Sequence, residues 1–152
     1  MFESGANVAK NLSPLREDQV QPNGVDLTIE SVYEQADAGR ITREGKTVGD
    51  RIEVDPEDGL YRLDPGAYVV KYGERLRVPE DHVGFVYPRS SLLRNSCMLN
   101  TAVWDAGYEG RGEGLLQVGH AIEIEPGARI AQFVLADADH EGQYDGTYQG
   151  EG

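Results

Sequence analysis

Cysteine is nearly absent from this chain: Cys97 is the only one in 152 residues. That excludes an intramolecular disulfide and any zinc site built on several thiolates, and leaves the thiol as a small apolar filler. Long apolar runs are missing too. No stretch reaches the 18 residues that a membrane-spanning helix requires. The opening segment, Met1 to Asp18, lacks a basic stretch followed by an apolar one, so a cytoplasmic protein is expected. Positive charge is scarce, with 14 Lys and Arg against 27 Asp and Glu, a net charge of −13. Such a chain repels duplex DNA and anionic membranes, and neither is expected as a partner. Lysine is the scarcest charge, confined to Lys10, Lys46 and Lys71, so the rest of the 14 are arginine. An acidic, lysine-poor surface suits high salt, where repulsion among carboxylates is screened. The three histidines, His82, His120 and His140, lie far apart without ligand-like spacing, so no histidine metal centre is expected.

Helical patterning is weak as well. Only Asn7 to Arg16, which contains Pro14, and Ser91 to Arg94 offer short helical turns. Strand patterning is widespread. Val25 to Ile29, Leu60 to Leu63, Ala67 to Tyr72, Leu76 to Val78, His82 to Tyr87 and Ala121 to Glu125 alternate apolar and polar residues, and Arg129 to Leu135 reads as a buried strand. Turn sequences such as Asp64-Pro65-Gly66 and Glu125-Pro126-Gly127 separate them. Short strands at near-regular spacing predict a single all-β domain over residues 1–152, a sandwich or a barrel. The polar stretch from Ala38 to Gly59 predicts a hairpin or excursion. The Gly-rich end, from about residue 141, predicts a flexible tail.

Two clusters carry chemistry. Pro88-Arg89-Ser90-Ser91 follows an apolar strand, and Arg94 comes one turn later. Guanidinium forks, hydroxyls and backbone N–H groups at a turn suit phosphate oxygens. A capped short helix with a surface arginine is the other reading of the same residues. The second cluster, Trp104 to Gly110, places Asp105 before a glycine turn and an aromatic, Tyr108, just after it. An aspartate there is also a common turn former. What favours chemistry is the company of donors, a carboxylate and an aromatic within so short a span.

These segments resemble the motifs of the dUTPase / dCTP deaminase family. Asn23 to Leu27 is similar to its first motif, Pro88 to Leu92 to its PRSS motif, and Ala102 to Gly110 to the motif carrying an aspartate and a following aromatic. Gly127 to Gln132 is similar to the GxRIAQ motif, and Tyr144 to Gly150 to the tail of the deaminase branch. The motifs occur in family order along nearly the whole chain. The resemblance implies an archaeal, halophilic member with a distorted β-barrel or jelly roll, one or two short helices and a homotrimer whose sites are shared between neighbours. It also implies roles. Arg89, Ser90, Ser91 and Arg94 would hold the triphosphate, with Tyr148 and Gln149 closing over it. Asn100, Thr101 and Ala102 would read the pyrimidine edge, and Gln132 would support the site and reach the substrate. Tyr108 would pack under the sugar, and Asp105 would meet the deoxyribose and position the attacking water. Mg²⁺ would bridge the phosphates, with Asp26 as a ligand acting through water.

The family runs two reactions, hydrolysis of dUTP and deamination of dCTP. Its deaminating members carry a glutamate ten residues after the motif aspartate, to move protons at the base. That position is Leu115 here, and leucine carries no proton. A shift of two residues would offer Gln117 or Glu113 instead, on the same strand face. The Gly112-Glu113-Gly114 context reads as a turn or bulge. The expected activity is therefore dUTP hydrolysis to dUMP and pyrophosphate. A dCTP deaminase and a non-catalytic trimer that senses dUTP, dTTP or a partner are the alternatives.

Overall fold

The structure is a computed structural model that describes all residues, 1–152. In chain order its strands are β1 (Leu12–Ser13), β2 (Val25–Gln35), β3 (Arg40–Ile41), β4 (Lys46–Thr47), β5 (Arg51–Glu53), β6 (Tyr61–Leu63) and β7 (Gly66–Tyr72). They continue with β8 (Arg75–Arg77), β9 (His82–Pro88), β10 (Cys97–Asn100), β11 (Glu109–Gly110), β12 (Glu113–Val118), β13 (Ile122–Ile124) and β14 (Arg129–Asp137). Helix is limited to α1 (Gly5–Val8), α2 (Ser90–Leu93) and two 3₁₀ turns. The chain is thus all-β, as its alternation predicts. The expected helix over Asn7 to Arg16 shrinks to α1 and a single 3₁₀ turn, because Leu12 leaves the helix to pair with Leu76 in β8. No helix is long and apolar enough to cross a membrane.

The main sheet runs β10-β12-β7-β2-β14-β9, with β5 added beside β2. Its two outer strands approach each other. Thr101, just past β10, donates its hydroxyl to the Val86 carbonyl of β9 at 3.0 Å, and Trp104 pairs with Gly84 of β9. These contacts nearly close the sheet into a barrel, which leaves little free edge. Every pairing within it is antiparallel.

β2 is buried on both faces over its first five residues. Val25, Leu27 and Ile29 alternate into the apolar core beside Phe133 and Leu135 of β14. The intervening Asp26 and Thr28 are buried too. Thr28 and the side chain of Gln19 both donate to Glu74, a carboxylate with 3% exposure. Three donors compensate that charge in place of a cation. β9 stops at Pro88, where the missing N–H ends regular pairing. β10, which the alternation does not single out, is a short edge strand whose exposed Met98 and Asn100 dilute its apolar signal.

Residues 1–3 lie along the end of β14, through Glu3 N–H to Leu135 O and Asp137 N–H to Met1 O. The clasp is completed by His82, whose Nε2 is 2.9 Å from Glu3 and 3.4 Å from Asp137. Its bond to Glu3 holds the imidazole pKa above its ordinary value, with help from the Glu80 carbonyl, and His82 in turn lowers Glu3. A raised histidine pKa gives stability that is complete below about pH 6.5 and lost as pH rises through the folded value. The lowered Glu3 works in the opposite direction, losing its share only under acid. Thermal melts are therefore expected to show Tm falling by roughly 2–4 °C from about pH 6 to about pH 9, with the slope flattened in His82→Gln.

Candidate active site

Arg89 caps α2 in an extended conformation, with its amide bonded to the Ile130 carbonyl of β14 at 2.9 Å. Its guanidinium turns toward Asp26, Nε at 3.5 Å from Oδ2. Arg129 of β14 reaches the same oxygen at 3.2 Å, and Gln21 donates to it at 2.9 Å. Oδ1 receives only a long contact, 3.4 Å from Gln132 Nε2. Asp26 is 1% exposed, and two guanidiniums and two amides surround its carboxylate in place of water. The carboxylate in return holds two like charges together beside a cavity of about 320 Å³ that Gln21, Asp26, Arg89, Ser90 and Gln132 line. Ser90, Ser91 and Arg94 are exposed on the turn beside it. The expected triphosphate residues on α2 thus cluster in space. Gln132, expected toward the base and sugar, stands with them.

Asp105 belongs to a second cavity, of about 510 Å³. Its neighbours explain its direction. Trp104 and Ala106 are both buried, at 8% and 4%, so the exposed residue between them must point outward. Gly107 closes the turn at φ 91°, a conformation that L side chains rarely adopt. Tyr108 follows at 5% exposure and packs edge-on against Trp104, centroids 5.1 Å apart. Burial pushes its hydroxyl pKa up, and its bond to Glu151 at 2.9 Å adds to that. Glu151 is itself pushed up by burial.

The C-terminal segment covers this cavity in the same chain. The Tyr144 amide bonds the Ala106 carbonyl at 2.7 Å, and its ring packs edge-on to Tyr108. Tyr148 lines the cavity, whereas Gln149 staples the segment down through Glu109 N–H and the Gly107 carbonyl. Both were expected over phosphates. In one copy they lie with Asp105, away from Arg89.

Asn100, Thr101 and Ala102 line a third cavity, of about 300 Å³, together with Val69, Glu113 and Leu115. Glu113, Leu115 and Gln117 share the outward face of β12. The strand is regular, so Gly112 and Gly114 do not mark a turn. They are glycines because a β-carbon would overlap the Trp104 ring at Gly112 and the Tyr72 hydroxyl at Gly114. Glu113 is held in a two-point fork by Arg51 of β5, at 2.9 and 3.0 Å. That bond raises the guanidinium pKa. Sequence reading passed over Arg51 and Lys46, because a polar excursion gives no local sign of where its ends return.

The cavity of Arg89 and the cavity of Asp105 share no lining residue. Trp104 pairs with Gly84, and Arg89 lies five residues further along the chain of β9, roughly 16 Å at ordinary strand rise. The two groups of expected site residues therefore stand apart in one chain.

Comparison with known proteins places the chain among nucleotide enzymes. A family model described as dCTP deaminase-like matches residues 3–138. A Halobacterium salinarum protein named probable deoxyuridine 5'-triphosphate nucleotidohydrolase is 57% identical, over 99% of this chain and 95% of its own. A Methanocaldococcus jannaschii deoxyuridine 5'-triphosphate nucleotidohydrolase is 41% identical, over 96% of this chain and 97% of its own. Among solved structures, the 2'-deoxycytidine 5'-triphosphate deaminase of Agrobacterium tumefaciens superposes with a TM-score of 0.68 at 21% identity. That match covers 88% of this chain and 47% of the longer deaminase. The dUTPase of Staphylococcus bacteriophage 80alpha, solved with dUPNHPP, superposes at 0.54 with 16% identity, over 95% of this chain and 86% of its own.

Removing the buried anion should cost more than removing either arginine. Asp26→Ala removes the acceptor shared by Gln21, Arg89 and Arg129, whose guanidiniums keep access to water, and a loss of about 1–3 kcal/mol is expected in urea unfolding. Gly112→Ala should displace Trp104 and cost about 1–3 kcal/mol, with a shifted tryptophan emission reporting the displacement.

Proposed function

We propose that this chain, which belongs to the dCTP deaminase-like family, hydrolyses dUTP to dUMP and pyrophosphate and does not deaminate dCTP. The observation that carries the choice is the wall of the cavity beside Asn100 to Ala102. The position that serves as a proton shuttle in deaminating relatives is Leu115, and the nearby Glu113 is tied to Arg51. Neither residue supplies a mobile proton to a base amine. The names of the Halobacterium and Methanocaldococcus relatives support the same reaction.

Hydrolysis needs a water aligned with the α-phosphorus and a base to take its proton. Asp105 would be that base, and its exposure on a hydrogen-bonded turn between buried Trp104 and Ala106 supports the assignment. The water's oxygen bonds the α-phosphorus, the bond from that phosphorus to the bridging oxygen breaks, and pyrophosphate leaves with the electron pair. The proton passes to the Asp105 carboxylate. Arg89, Ser90, Ser91 and Arg94 would hold the phosphates. Asn100, Thr101 and Ala102 would face the pyrimidine, and Tyr108 would lie under the sugar.

Mg²⁺ fits the arginine side of the site. Oδ1 of Asp26 keeps acceptor capacity that Oδ2 has spent on Gln21, Arg89 and Arg129. Mg²⁺ keeps several waters and needs only one or two carboxylates besides phosphate oxygens. Asp26 would hold the ion through one of those waters, and the bound ion would neutralise charge on the phosphates.

Since the two groups of expected site residues are apart in one chain, a neighbouring copy is needed to join them, and a homotrimer is the assembly we propose. An outward face supports it. Met98, Gln117 and Ala67 stand in one cross-strand row and Asn100, Leu115 and Val69 in the next, all uncharged. Leu93 and Met98 are 62% and 55% exposed, while Leu92 and Leu99 belong to the core. On a chain of net charge −13, copies approach most easily across such a face.

Pyrophosphate and ammonia measured separately, from dUTP and from dCTP, decide the reaction. Pyrophosphate from dUTP without ammonia from dCTP is expected, and rapid ammonia release would overturn the assignment. Asp105→Asn should lower kcat by roughly 10²- to 10⁴-fold with Tm unchanged. Turnover at the native rate would remove Asp105 from its role.

A further inference from the structure

Lys46, one of three lysines in the chain, stands at the cavity that carries Asp105. It comes from a hairpin that the core does not explain. β3 and β4 pair only with each other, and every residue of both is exposed, Ile41 at 90%. An isolated two-stranded hairpin that buries no apolar face gains little from folding. What this one does supply is a contact with the C-terminal segment: Lys46 Nζ lies 4.7 Å from the centre of the Tyr148 ring. Among the residues lining the cavity, Lys46 is the sole cation, in company with the carboxylates of Asp105, Glu113 and Glu151. Arg51 neutralises Glu113. The ammonium of Lys46 lowers the negative charge that an anionic substrate entering there meets.

We propose that Lys46 is a positioning residue that latches the C-terminal segment over the Asp105 cavity through the face of Tyr148, and so brings its charge to bear on an anionic nucleotide. The substrate half of this inference rests on the nucleotide reading above, whereas the latch itself does not. The segment is already fastened at Tyr144, Gln149 and the Glu151 backbone. Between those points the Tyr148 amide donates to the Tyr144 hydroxyl at 3.0 Å, within the same segment, and its ring is met from the hairpin side by Lys46. An ammonium over an aromatic face suits that place, because it resists separation without fixing one geometry.

Trp104 is the only tryptophan in the chain and lines the same cavity, so its fluorescence reports whether the segment is down. Lys46→Met, Lys46→Arg, Tyr148→Leu and the double variant K46M/Y148L would be compared in the full-length protein, with thermal melts as the control for folding. Acrylamide quenching of Trp104 without nucleotide should increase several-fold in Lys46→Met, and kcat/KM for dUTP should fall about fivefold to tenfold, mainly through KM. Lys46→Arg should restore both, since a guanidinium also stacks on an aromatic face. The double variant should be no worse than either single, because both remove one interaction. Native quenching and native KM in Lys46→Met would overturn the latch, and so would additive losses in the double variant. A wild-type protein inert toward dUTP would overturn the nucleotide reading instead, and quenching alone would then decide the latch.

Discussion

A carboxylate at 1% exposure has lost its water and must find polar partners within the protein, and Asp26 draws the architecture of the arginine cluster around that requirement. Its partners come from three places in the chain: Gln21 before β2, Arg89 at the start of α2, and Arg129 with Gln132 on β14. One buried charge thus fixes the relation of the central strand, the phosphate-side turn and the neighbouring strand. Two residues along β2, on the same face, Thr28 shares a proton donor relation with Glu74, and Gln19 ties the two levels by donating to both the Asp26 carbonyl and Glu74. β2 therefore presents an apolar face and a polar face whose carboxylate partners lie within the protein. A slip of one residue would exchange them and strand both carboxylates among hydrophobic side chains, so the register is fixed from two sides.

Half of the fourteen strands were legible because they alternate. β7, β8, β9, β13 and β14 lie where their patterns put them, to within two residues at their ends. The length of β2 was not legible, since its second half, Glu30 to Gln35, loses the apolar rhythm as it leaves the core. The motif segments were legible as chemistry, because a guanidinium beside hydroxyls and an aspartate before a glycine turn are local signals. Burial of Asp26 was not, because the charges that permit it are more than sixty residues away. The glycines around Glu113 were misread for the same reason. Their purpose is to admit Trp104 and Tyr72, and no neighbour in sequence announces a ring arriving from another strand.

The choice of reaction depends on a small piece of β12. Glu113, Leu115 and Gln117 alternate outward on one face, so all three were candidates for the position beside the base. Geometry separates them. Leu115 stands with Asn100 to Ala102 at the cavity wall, and Gln117 is bonded to Asn100 at 2.7 Å. Glu113 reaches the wall but is claimed by a fork from β5. A carboxylate bound at both oxygens by a guanidinium is a poor proton shuttle, since protonation would forfeit two charge-assisted bonds. Hydrolysis asks nothing of that position. In the proposed reading it needs a carboxylate at the sugar end, the part assigned to Asp105.

The same chemistry sets the problem that assembly must solve. The Asp105 cavity is rich in carboxylates, and the arginines that favour a triphosphate belong to a different cavity of the same chain. A nucleotide has an uncharged end and a polyanionic end, so a site split in this way can match it only if the halves meet from different copies. The uncharged rows on β10, β12 and β7 border the cavity beside Leu115, which places the surface most able to join copies near the cavity in which carboxylates outnumber cations. Within one copy, Arg51 and Lys46 return from the polar excursion to the edge of that cavity. They reduce its negative charge without supplying the forked arrangement that phosphates require. In the proposed homotrimer the arginines of a neighbouring copy would be the chemical complement of this cavity, and catalysis would depend on association.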